Sequence, residues 1–394
     1  MRRISANYIY PIDREPIKNG IIELDNSNRI LKIIDTQGNL EESRNLEFYN
    51  GVIVPGFINS HCHLELSYLK NELPKGIGLP QFLSNIVRLK KEDNTNKILK
   101  SIELFDTKMR ANGIVAVGDI CNTTNTISVK IKSKIAYYNF IEVLGQGTNT
   151  FEVFEFNKNL YNTFRENNLQ ASITLHAPYS VSTEILSLIK HEAEISNTIL
   201  SFHNQETESE NQMFNEGTGE LIEKLKSLGV KFDNFAVPGK NSSMTIANLL
   251  PKENNIVFVH NTFSNLNDIE LINSKFENAF WCLCPSSNLY IENKLPKINL
   301  FLGSTERVVL GTDSLASNKS LSILDEMKVI RANYPEIKFE TLLRWATING
   351  AQALKMNSKF GTISVGKTPG LNLISDFDFT TMQIKDTSDV KVLA

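Results

Sequence analysis

The side chains of this sequence that can perform chemistry concentrate at the ends of short apolar segments. His61 and His63 end one segment, and His176, His203 and His260 end three others, so these positions hold five of the six histidines. A single buried histidine is more often a core residue than a ligand. Five at equivalent positions are not expected of scattered core histidines, and they indicate one shared site.

These histidines suggest a metal site. His61 and His63 are separated by one residue, so in a strand both imidazoles point to the same face. Together with His203 and the carboxylate of Asp313, they form a donor set that suits Zn or Fe(II), and a catalytic centre keeps one position for water. The four cysteines lack the paired spacing of ligands, and we interpret them as small buried residues.

Glu206 follows His203 by three residues. If the chain turns there, Glu206 lies over the metal site as a movable carboxylate that protonates a leaving nitrogen and shuttles protons. The acidic stretch 206–210 makes a solvated surface carboxylate the alternative. Four further polar residues receive no role from the sequence: Glu65, Asp119, Glu142 and Ser286.

Eight apolar segments alternate with helical patterns between residues 51 and 356. They span 52–59, 114–120, 135–143, 171–176, 198–203, 255–260, 279–284 and 307–313. Eight βα units predict an α/β fold of the (β/α)₈ TIM-barrel type, in which the carboxyl ends of the strands meet on one face. An open doubly wound sheet is the alternative, but no Gly-x-Gly-x-x-Gly follows any of these segments.

Both ends of the chain have a different pattern, with short β-branched runs separated by turn residues. Neither end can bury a sheet face alone, and the termini of a barrel lie near each other. We therefore predict a small composite β-sandwich domain from residues 1–52 and 358–394, and a barrel domain from residues 53–357.

Composition excludes several classes of function. The 394 residues contain 41 Lys and Arg against 44 Asp and Glu, a net charge of −3, without the basic clusters that nucleic-acid binding requires. No apolar run approaches the roughly 18 residues of a membrane span, and no signal-type segment follows the first residues. Four cysteines in this length do not form a disulfide framework. We expect a cytoplasmic protein that binds neither nucleic acid nor membrane.

Several motifs at the strand ends resemble the amidohydrolase superfamily. The resemblance covers nearly the whole chain and is greatest for the branch of cytosine deaminases, triazine hydrolases and adenosine-type deaminases, especially aminodeoxyfutalosine deaminases. The motifs are Val54-Pro55-Gly56-Phe57-Ile58-Asn59 before His61, residues 176–182, His203-x-x-Glu206, Val259-His260-Asn261, residues 284–288, residues 310–318 and the tail at 346–351 and 361–367.

The resemblance implies a role for each site residue. His61, His63, His203 and Asp313 would bind one divalent metal, with Zn preferred and Fe(II) as the alternative. Asp313 would also take the proton from the metal-bound water, and His260 would position that water. Glu206 would protonate the ring nitrogen and then the departing amine, and His176 would hold the substrate. Glu142 is the carboxylate that could bridge a second metal, but we predict a single one.

The expected function is a metal-dependent aminohydrolase. Metal-bound hydroxide would attack an sp² carbon of an N-heterocycle and release ammonia, because metal binding lowers the pKa of water to about 7. The preferred small-molecule substrate is an adenine nucleoside derivative such as aminodeoxyfutalosine. Alternatives on the same site are a guanine- or cytosine-type base deaminase, a chlorohydrolase and an imidazolonepropionase. A non-enzymatic scaffold is disfavoured because all four metal ligands are present. By resemblance, the protein would form a homodimer.

Overall fold

The computed structural model describes residues 2–41, 43, 45–91, 95–147, 149–232 and 235–394. Within these ranges the chain forms strands β1 (Arg2–Ile9), β2 (Ile17–Lys18), β3 (Ile21–Leu24), β4 (Ile30–Ile34), β5 (Leu46–Pro55), β6 (Phe57–Cys62), β7 (Ile114–Cys121), β8 (Ala136–Val143), β9 (Gln170–Leu175), β10 (Leu200–Asn204), β11 (Ile256–His260), β12 (Ala279–Leu283), β13 (Val308–Leu310), β14 (Leu371–Ser375) and β15 (Asp389–Val392).

Helices follow most strands from β6 onward. They are α1 (Leu79–Lys90), α2 (Thr95–Ala111), α3 (Ile127–Lys130), α4 (Thr150–Glu166), α5 (Thr183–Ser196), α6 (Glu208–Glu216), α7 (Glu220–Ser227), α8 (Ser242–Ile246), α9 (Leu266–Lys275), α10 (Pro285–Glu292), α11 (Ile298–Ser304), α12 (Ile323–Asn333), α13 (Phe339–Ala346) and α14 (Ile348–Ala353), with 3-10 turns at Leu64–Leu69 and Pro178–Ser180. None of the helices in the described ranges has the length and apolar character needed to cross a membrane.

Strands β6 to β13 form two four-stranded parallel sheets, in the orders β6-β7-β8-β9 and β10-β11-β12-β13. The sheets meet near the carboxyl ends of their strands. On one side Cys62 and Asp313 form a parallel bridge, and on the other the His203 N–H donates to the His176 carbonyl at 2.9 Å. The fold is therefore α/β of the TIM-barrel type, as predicted, with all eight predicted strands present.

Strands from both chain ends share one further sheet, in the order β15-β14-β5-β1-β3-β4, with β2 paired to β1. The link between the ends is β5, which runs parallel to β1 and antiparallel to β14. Ile4, Ile22, Ile53 and Leu371 form an apolar cluster on this sheet. The terminal segments thus bury apolar side chains together, which neither could do alone.

The first predicted barrel strand, 52–59, is divided in the structure at Gly56. Residues up to Pro55 belong to β5 in the terminal sheet, and the barrel strand β6 begins at Phe57. A side chain at Gly56 would collide with Val115 and would lie 2.7 Å from the Pro369 carbonyl oxygen. Glycine is thus required where the chain passes closely between the two sheets, and an unbroken apolar run concealed this boundary.

Side chains of the barrel strands alternate between two apolar clusters, as the two-residue period of a strand requires. On β12, Trp281 and Leu283 pack in the cluster shared with the outer helices, whereas Phe280 and Cys282 pack in a second cluster with residues of α14. This alternation decides which strand-end side chains face inward. On β8, Glu142 follows Phe140 by two residues and so shares the inner face.

Candidate functional site

A cavity of about 880 Å³ opens at the carboxyl ends of the barrel strands. Its floor contains His63, His203, His260, Glu206 and Asp313. These residues lie at or just beyond the ends of four different strands, β6, β10, β11 and β13, and each of them is at most 8% exposed. The predicted site residues are therefore brought together on the face where TIM-barrel active sites form.

Four ligand atoms converge on this floor. His63 Nε2 lies 3.1 Å from His61 Nε2 and 3.3 Å from His203 Nε2. Asp313 Oδ1 lies 3.2 Å from His63 Nε2 and 3.7 Å from His61 Nε2. In a tetrahedral zinc site with bonds of about 2.0–2.1 Å, neighbouring ligand atoms are about 3.3 Å apart. The spacing and the donor set thus fit a divalent metal.

A backbone contact orients one of these side chains. The Nδ1–H of His203 donates to the His176 carbonyl at 2.8 Å, which leaves the Nε2 lone pair directed at the cluster. Burial lowers the pKa of His203 to about 3, and burial likewise places the pKa of His63 well below its ordinary value. Both imidazoles are therefore neutral at neutral pH, the form that binds metal.

Asp313 is held by both chain and side-chain contacts. Its N–H donates to the His61 carbonyl at 3.0 Å, and its Oδ2 accepts from the hydroxyls of Ser287 and Ser317, both at 2.6 Å. Oδ1 is left for the cluster. Burial alone would raise the pKa of Asp313, but its hydrogen bond with His61 and the nearby histidines hold that pKa well below its usual range. The carboxylate is ionised.

His260 lies beside this group and has a different hydrogen-bonding state. The Asn288 amide donates to His260 Nδ1 at 3.2 Å and to Thr262 Oγ1 at 2.7 Å. With Nδ1 accepting, the ring proton is on Nε2, which is buried without a partner. His260 Nε2 lies close enough to His61, His203 and Asp313 to be a metal ligand. With its proton on Nε2, His260 is a hydrogen-bond donor, whereas His63 Nε2 lies 3.1–3.3 Å from the Nε2 atoms of His61 and His203.

Glu206 is 4% exposed, so the surface-carboxylate alternative does not hold. The preceding Gln205 has a φ of 45°, and this turn brings Glu206 Oε1 to 3.5 Å from His260 Nε2. Burial raises the pKa of Glu206 well above its ordinary value, and the charges of Asp313, Glu292 and Glu210 raise it further. The buried position of Glu206 therefore favours the protonated form of its carboxyl group.

A second buried acid, Glu210, holds the turn that carries Glu206 through hydrogen bonds. Glu210 accepts from the N–H groups of Gln205 and Glu206, both at 3.1 Å, and from the Ser242 hydroxyl at 2.5 Å. Sequence reasoning missed this role because Glu210 lies in an acidic stretch typical of a solvated surface. The available signal was its spacing, four residues after Glu206 on the first turn of α6.

His176 directly follows β9 and lies beside His203, with the two ring centres 4.7 Å apart. Its Nδ1 is 3.1 Å from Ser180 Oγ, which itself accepts from the Ala177 N–H and donates to the Ala177 carbonyl. The ring therefore donates from Nδ1 and leaves Nε2 as an acceptor. Burial, with a further contribution from Lys90, lowers the pKa of His176 to about 3.

Asp119, at the end of β7, faces away from the cavity. It forms an ion pair with Lys130 at 2.5 Å, and both side chains are fully buried. Its other oxygen accepts from the Leu64 N–H at 2.8 Å, directly after His63. Glu65 acts similarly by accepting from the N–H groups of Asn122 and Thr123. Both acids anchor the turn that carries His63.

Ser286 lines a separate cavity of about 320 Å³ with Lys75, Tyr290 and Lys319. Its N–H donates to Glu326, which also accepts from the Asn318 amide. Contacts of Ser286 with a substrate in the main cavity are not expected from this position. Its neighbour Ser287, by contrast, contacts Asp313 directly.

The outer part of the main cavity is mostly apolar. Side chains from α1, the end of β8, α4 and the region after α7 line it: Leu79, Phe82, Ile86, Leu144, Val153 and Val230. Ligand pockets commonly combine such apolar walls with a few placed polar groups. The cavity therefore fits a small organic molecule whose reactive end meets the polar floor.

Comparison with known proteins identifies relatives of this chain. Residues 52–393 match the family described as the amidohydrolase family. A protein named adenosine deaminase from Helicobacter pylori is 28% identical over 336 residues, covering 83% of this chain and 79% of that protein. A protein named aminodeoxyfutalosine deaminase from Nitratiruptor sp. is 28% identical over 333 residues, covering 82% and 79%.

Solved structures share the fold. The Helicobacter pylori aminofutalosine deaminase in complex with methylthio-coformycin superposes with a TM-score of 0.83 at 23% identity, covering 96% of this chain and 93% of that one. An adenosine deaminase from Xanthomonas campestris with bound zinc has a TM-score of 0.73 at 19% identity, covering 95% and 84%. The resemblance inferred from the motifs is confirmed, as is the predicted enzyme class, a metal-dependent hydrolase of carbon–nitrogen bonds.

Proposed function

We propose, from the premise that this chain belongs to the amidohydrolase family, that the protein deaminates an adenine nucleoside derivative such as aminodeoxyfutalosine. The observation that carries the proposal is the pairing of two features on one cavity floor. One is the convergence of His61, His63, His203 and Asp313. The other is the buried carboxyl group of Glu206 on the same floor, whose pKa is raised by burial. Deamination requires both an activated water and an acid for the nitrogen.

His61, His63, His203 and Asp313 would hold one divalent metal, with Zn preferred. When bound there, such a metal makes water nucleophilic at neutral pH. The Asp313 carboxylate takes a proton from the attacking water. Asp313 suits this role because two serine hydroxyls fix its Oδ2 and leave Oδ1 facing the reacting centre.

Glu206 supplies the proton that the heterocycle needs. Its carboxyl group donates to the ring nitrogen beside the attacked carbon, then takes the second proton of the attacking oxygen and passes it to the departing amine. The proton held by Asp313 then restores the acid form of Glu206. The Nε2–H of His260 donates to the attacking oxygen and positions it, because Asn288 holds the opposite ring nitrogen as an acceptor. His176 holds the substrate through its Nε2 lone pair.

Ammonia release from zinc-loaded protein tests this function. We expect turnover of at least one of adenosine, 5′-deoxyadenosine and aminodeoxyfutalosine, with guanine and cytosine inert, and loss of turnover in chelated protein. Deamination of a free base but of no nucleoside would contradict the proposed substrate class. Absence of ammonia from all five compounds would contradict the reaction.

Metal content provides a second, independent test. We predict about one zinc per chain in the wild-type protein and a large loss of zinc in His203→Ala, because an imidazole ligand is removed. His260→Ala is the matched control and should retain zinc. Two tightly bound ions per chain, or loss of zinc in the His260 variant with retention in the His203 variant, would overturn the proposed ligand set.

We further propose that the two four-stranded sheets close into one barrel that ends at residue 357 and begins at Phe57, not at residue 53 as predicted from the sequence. Residues up to Pro55 and residues 358–394 would form the separate composite β domain. The shared pairing of β5 with β1 and β14 supports this division. The homodimer and the cytoplasmic location are kept as predictions, and sedimentation velocity of the purified protein tests the first of them.

A further inference from the structure

One carboxylate on the cavity wall has no role in the chemistry proposed above. Glu142 lies on the inner face of β8 and is 5% exposed. Its Oε2 accepts from the Asn122 amide at 3.0 Å, whereas its Oε1 is buried without a hydrogen-bond partner. A buried carboxylate oxygen left unpaired is costly, so this atom points to a missing donor.

The position of Glu142 separates it from the reacting centre. Its Oε1 lies 3.8 Å from His203 Nδ1, the ring nitrogen on the side opposite the metal-facing Nε2. Glu206 and His260 belong to the second four-stranded sheet, whereas Glu142 and His176 belong to the first. A molecule whose reactive carbon lies at the cluster would thus extend past His203 to reach Glu142.

A second metal ion is the competing occupant, because Glu142, His176 and His203 each offer an atom within 4.8 Å of the others. The nitrogen of His203 on that side is not available. It donates its proton to the His176 carbonyl at 2.8 Å, so it has no lone pair for an ion. The group then retains only two ligands, which is too few for a tightly held divalent ion.

The hydrogen-bonding groups of an adenine nucleoside indicate which of them can pair with Glu142 Oε1. An ionised carboxylate only accepts hydrogen bonds. An adenine ring whose amino group lies at the metal cluster presents only ring nitrogens elsewhere, and these nitrogens also accept. The remaining donors of an adenine nucleoside are the hydroxyls of its sugar. His176 Nε2 is likewise an acceptor, so the two side chains form a surface that suits hydroxyl donors.

We propose that Glu142 determines substrate specificity by accepting a hydrogen bond from a ribose hydroxyl. The inference rests on the proposed function and narrows it to nucleosides that carry 2′- or 3′-hydroxyl groups. A free base or a dideoxynucleoside leaves Oε1 buried and unpaired, and a site built to bind a hydroxyl discriminates against an analogue that lacks it.

The test compares adenosine with 2′,3′-dideoxyadenosine as substrates of the zinc-loaded protein. Wild-type kcat/KM should be about 10- to 100-fold higher for adenosine, the range for a hydrogen bond to a charged group. In Glu142→Gln that preference should largely disappear, mainly through a higher KM for adenosine. Glu152→Gln is the matched control, because it removes one negative charge from an exposed position lining the same cavity.

Binding measurements keep the inference independent of turnover. Calorimetric titration with inosine and 2′,3′-dideoxyinosine should show the same preference in wild type and the same loss in Glu142→Gln. Equal affinities in the wild-type protein, or a preference that survives in the variant, would overturn the role of Glu142. Loss of a metal equivalent in Glu142→Gln would overturn it in favour of a metal ligand. If neither adenosine nor 2′,3′-dideoxyadenosine is deaminated, the binding data alone decide on Glu142, and ammonia release from the five compounds named above decides separately on the proposed function.

Discussion

The two four-stranded sheets differ in one of the anchors that hold the loops around the candidate site. In the first, Glu65 accepts from N–H groups, and the turn after His63 is also anchored by Asp119, whose charge is balanced by the fully buried ammonium of Lys130 at 2.5 Å. In the second, Glu210 and Glu326 anchor the loops, and the contacts we find for them are with N–H, amide and hydroxyl groups.

This difference distinguishes a buried group that keeps its charge near neutral pH from buried acids that gain or lose a proton there. Although burial opposes the charge, Asp119 and Cys121 raise the pKa of Lys130, so Lys130 stays charged near neutral pH. Burial raises the pKa of Glu210 to about 7 and that of Glu326 to about 8. The second sheet also carries Glu206, the proposed proton donor. The two anchoring acids with pKa values near neutral pH, Glu210 and Glu326, thus both lie in the second half of the barrel.

The largest expected effect is on proton transfer in the second half. Glu206→Gln should lower kcat by about 10²–10⁴-fold, because an amide cannot donate the proton that general acid catalysis supplies. Zinc content and melting temperature should change little. The exposed Glu208→Gln is the control, and near-normal kcat in a zinc-replete Glu206→Gln protein would remove the proton-transfer role.

In the first half, the largest effect should fall on stability. Lys130→Met leaves Asp119 as a buried, uncompensated charge, which typically costs about 3–5 kcal/mol of unfolding free energy. Urea unfolding measures the change. Lys158→Met is the control, because Lys158 pairs with Glu192 at 2.5 Å in a partly exposed position where an ion pair contributes about 0–1 kcal/mol. Equal losses of unfolding free energy in the two variants would contradict the distinction between the buried ion pair and the partly exposed one.

His176 tests whether the first half also contributes to substrate binding. His176→Asn should retain zinc and fold, and kcat/KM should fall by the equivalent of about 1–3 kcal/mol because one hydrogen bond is lost. Steady-state kinetics with metal analysis checks this. Unchanged kinetics with a markedly lower melting temperature would make His176 a core residue, and a metal-free variant would make it a ligand.

The smallest expected effect is a pH dependence of the unfolding free energy that arises from the buried acids in the second half of the barrel. Glu210 and Glu326 have higher pKa values in the folded protein than an ordinary glutamate. Between about pH 4.5 and 8 the folded state therefore binds more protons than the unfolded state, and the unfolding free energy falls as pH rises. Thermal melts from pH 5 to pH 8.5 should show this fall.

The variant Glu326→Gln sharpens that measurement. An amide does not titrate, so the melting temperature of the variant should fall less between pH 5 and pH 8.5 than that of wild type, by no more than a few degrees. Glu336→Gln, at an exposed position, is the control and should follow the wild-type curve. Parallel curves for wild type and Glu326→Gln would exclude Glu326 as a contributor.

Much of the fold and the floor of the site could be predicted from local pattern. Strand periods and the recurrence of histidines at strand ends predicted eight barrel strands and located His61, His203 and Asp313. The limits of the first strand were wrong, because Gly56 interrupts an apolar run whose two parts enter different sheets. Both parts of the run are apolar and buried, so neither hydrophobicity nor burial indicates which sheet each part enters.

The sequence by itself therefore determined the barrel type and the residues that could hold a metal. The reason is that the period of each strand and the order of the strands can be recognised from residues that are close together along the chain. Only the tertiary structure decided that Asp119 faces Lys130 rather than the cavity, and that Glu206 is a buried acid. It also decided that one oxygen of Glu142 has no partner. The physical reason is that pKa values, ring tautomers and unsatisfied hydrogen bonds depend on burial and on contacts between residues far apart in sequence, such as Asn288 with His260.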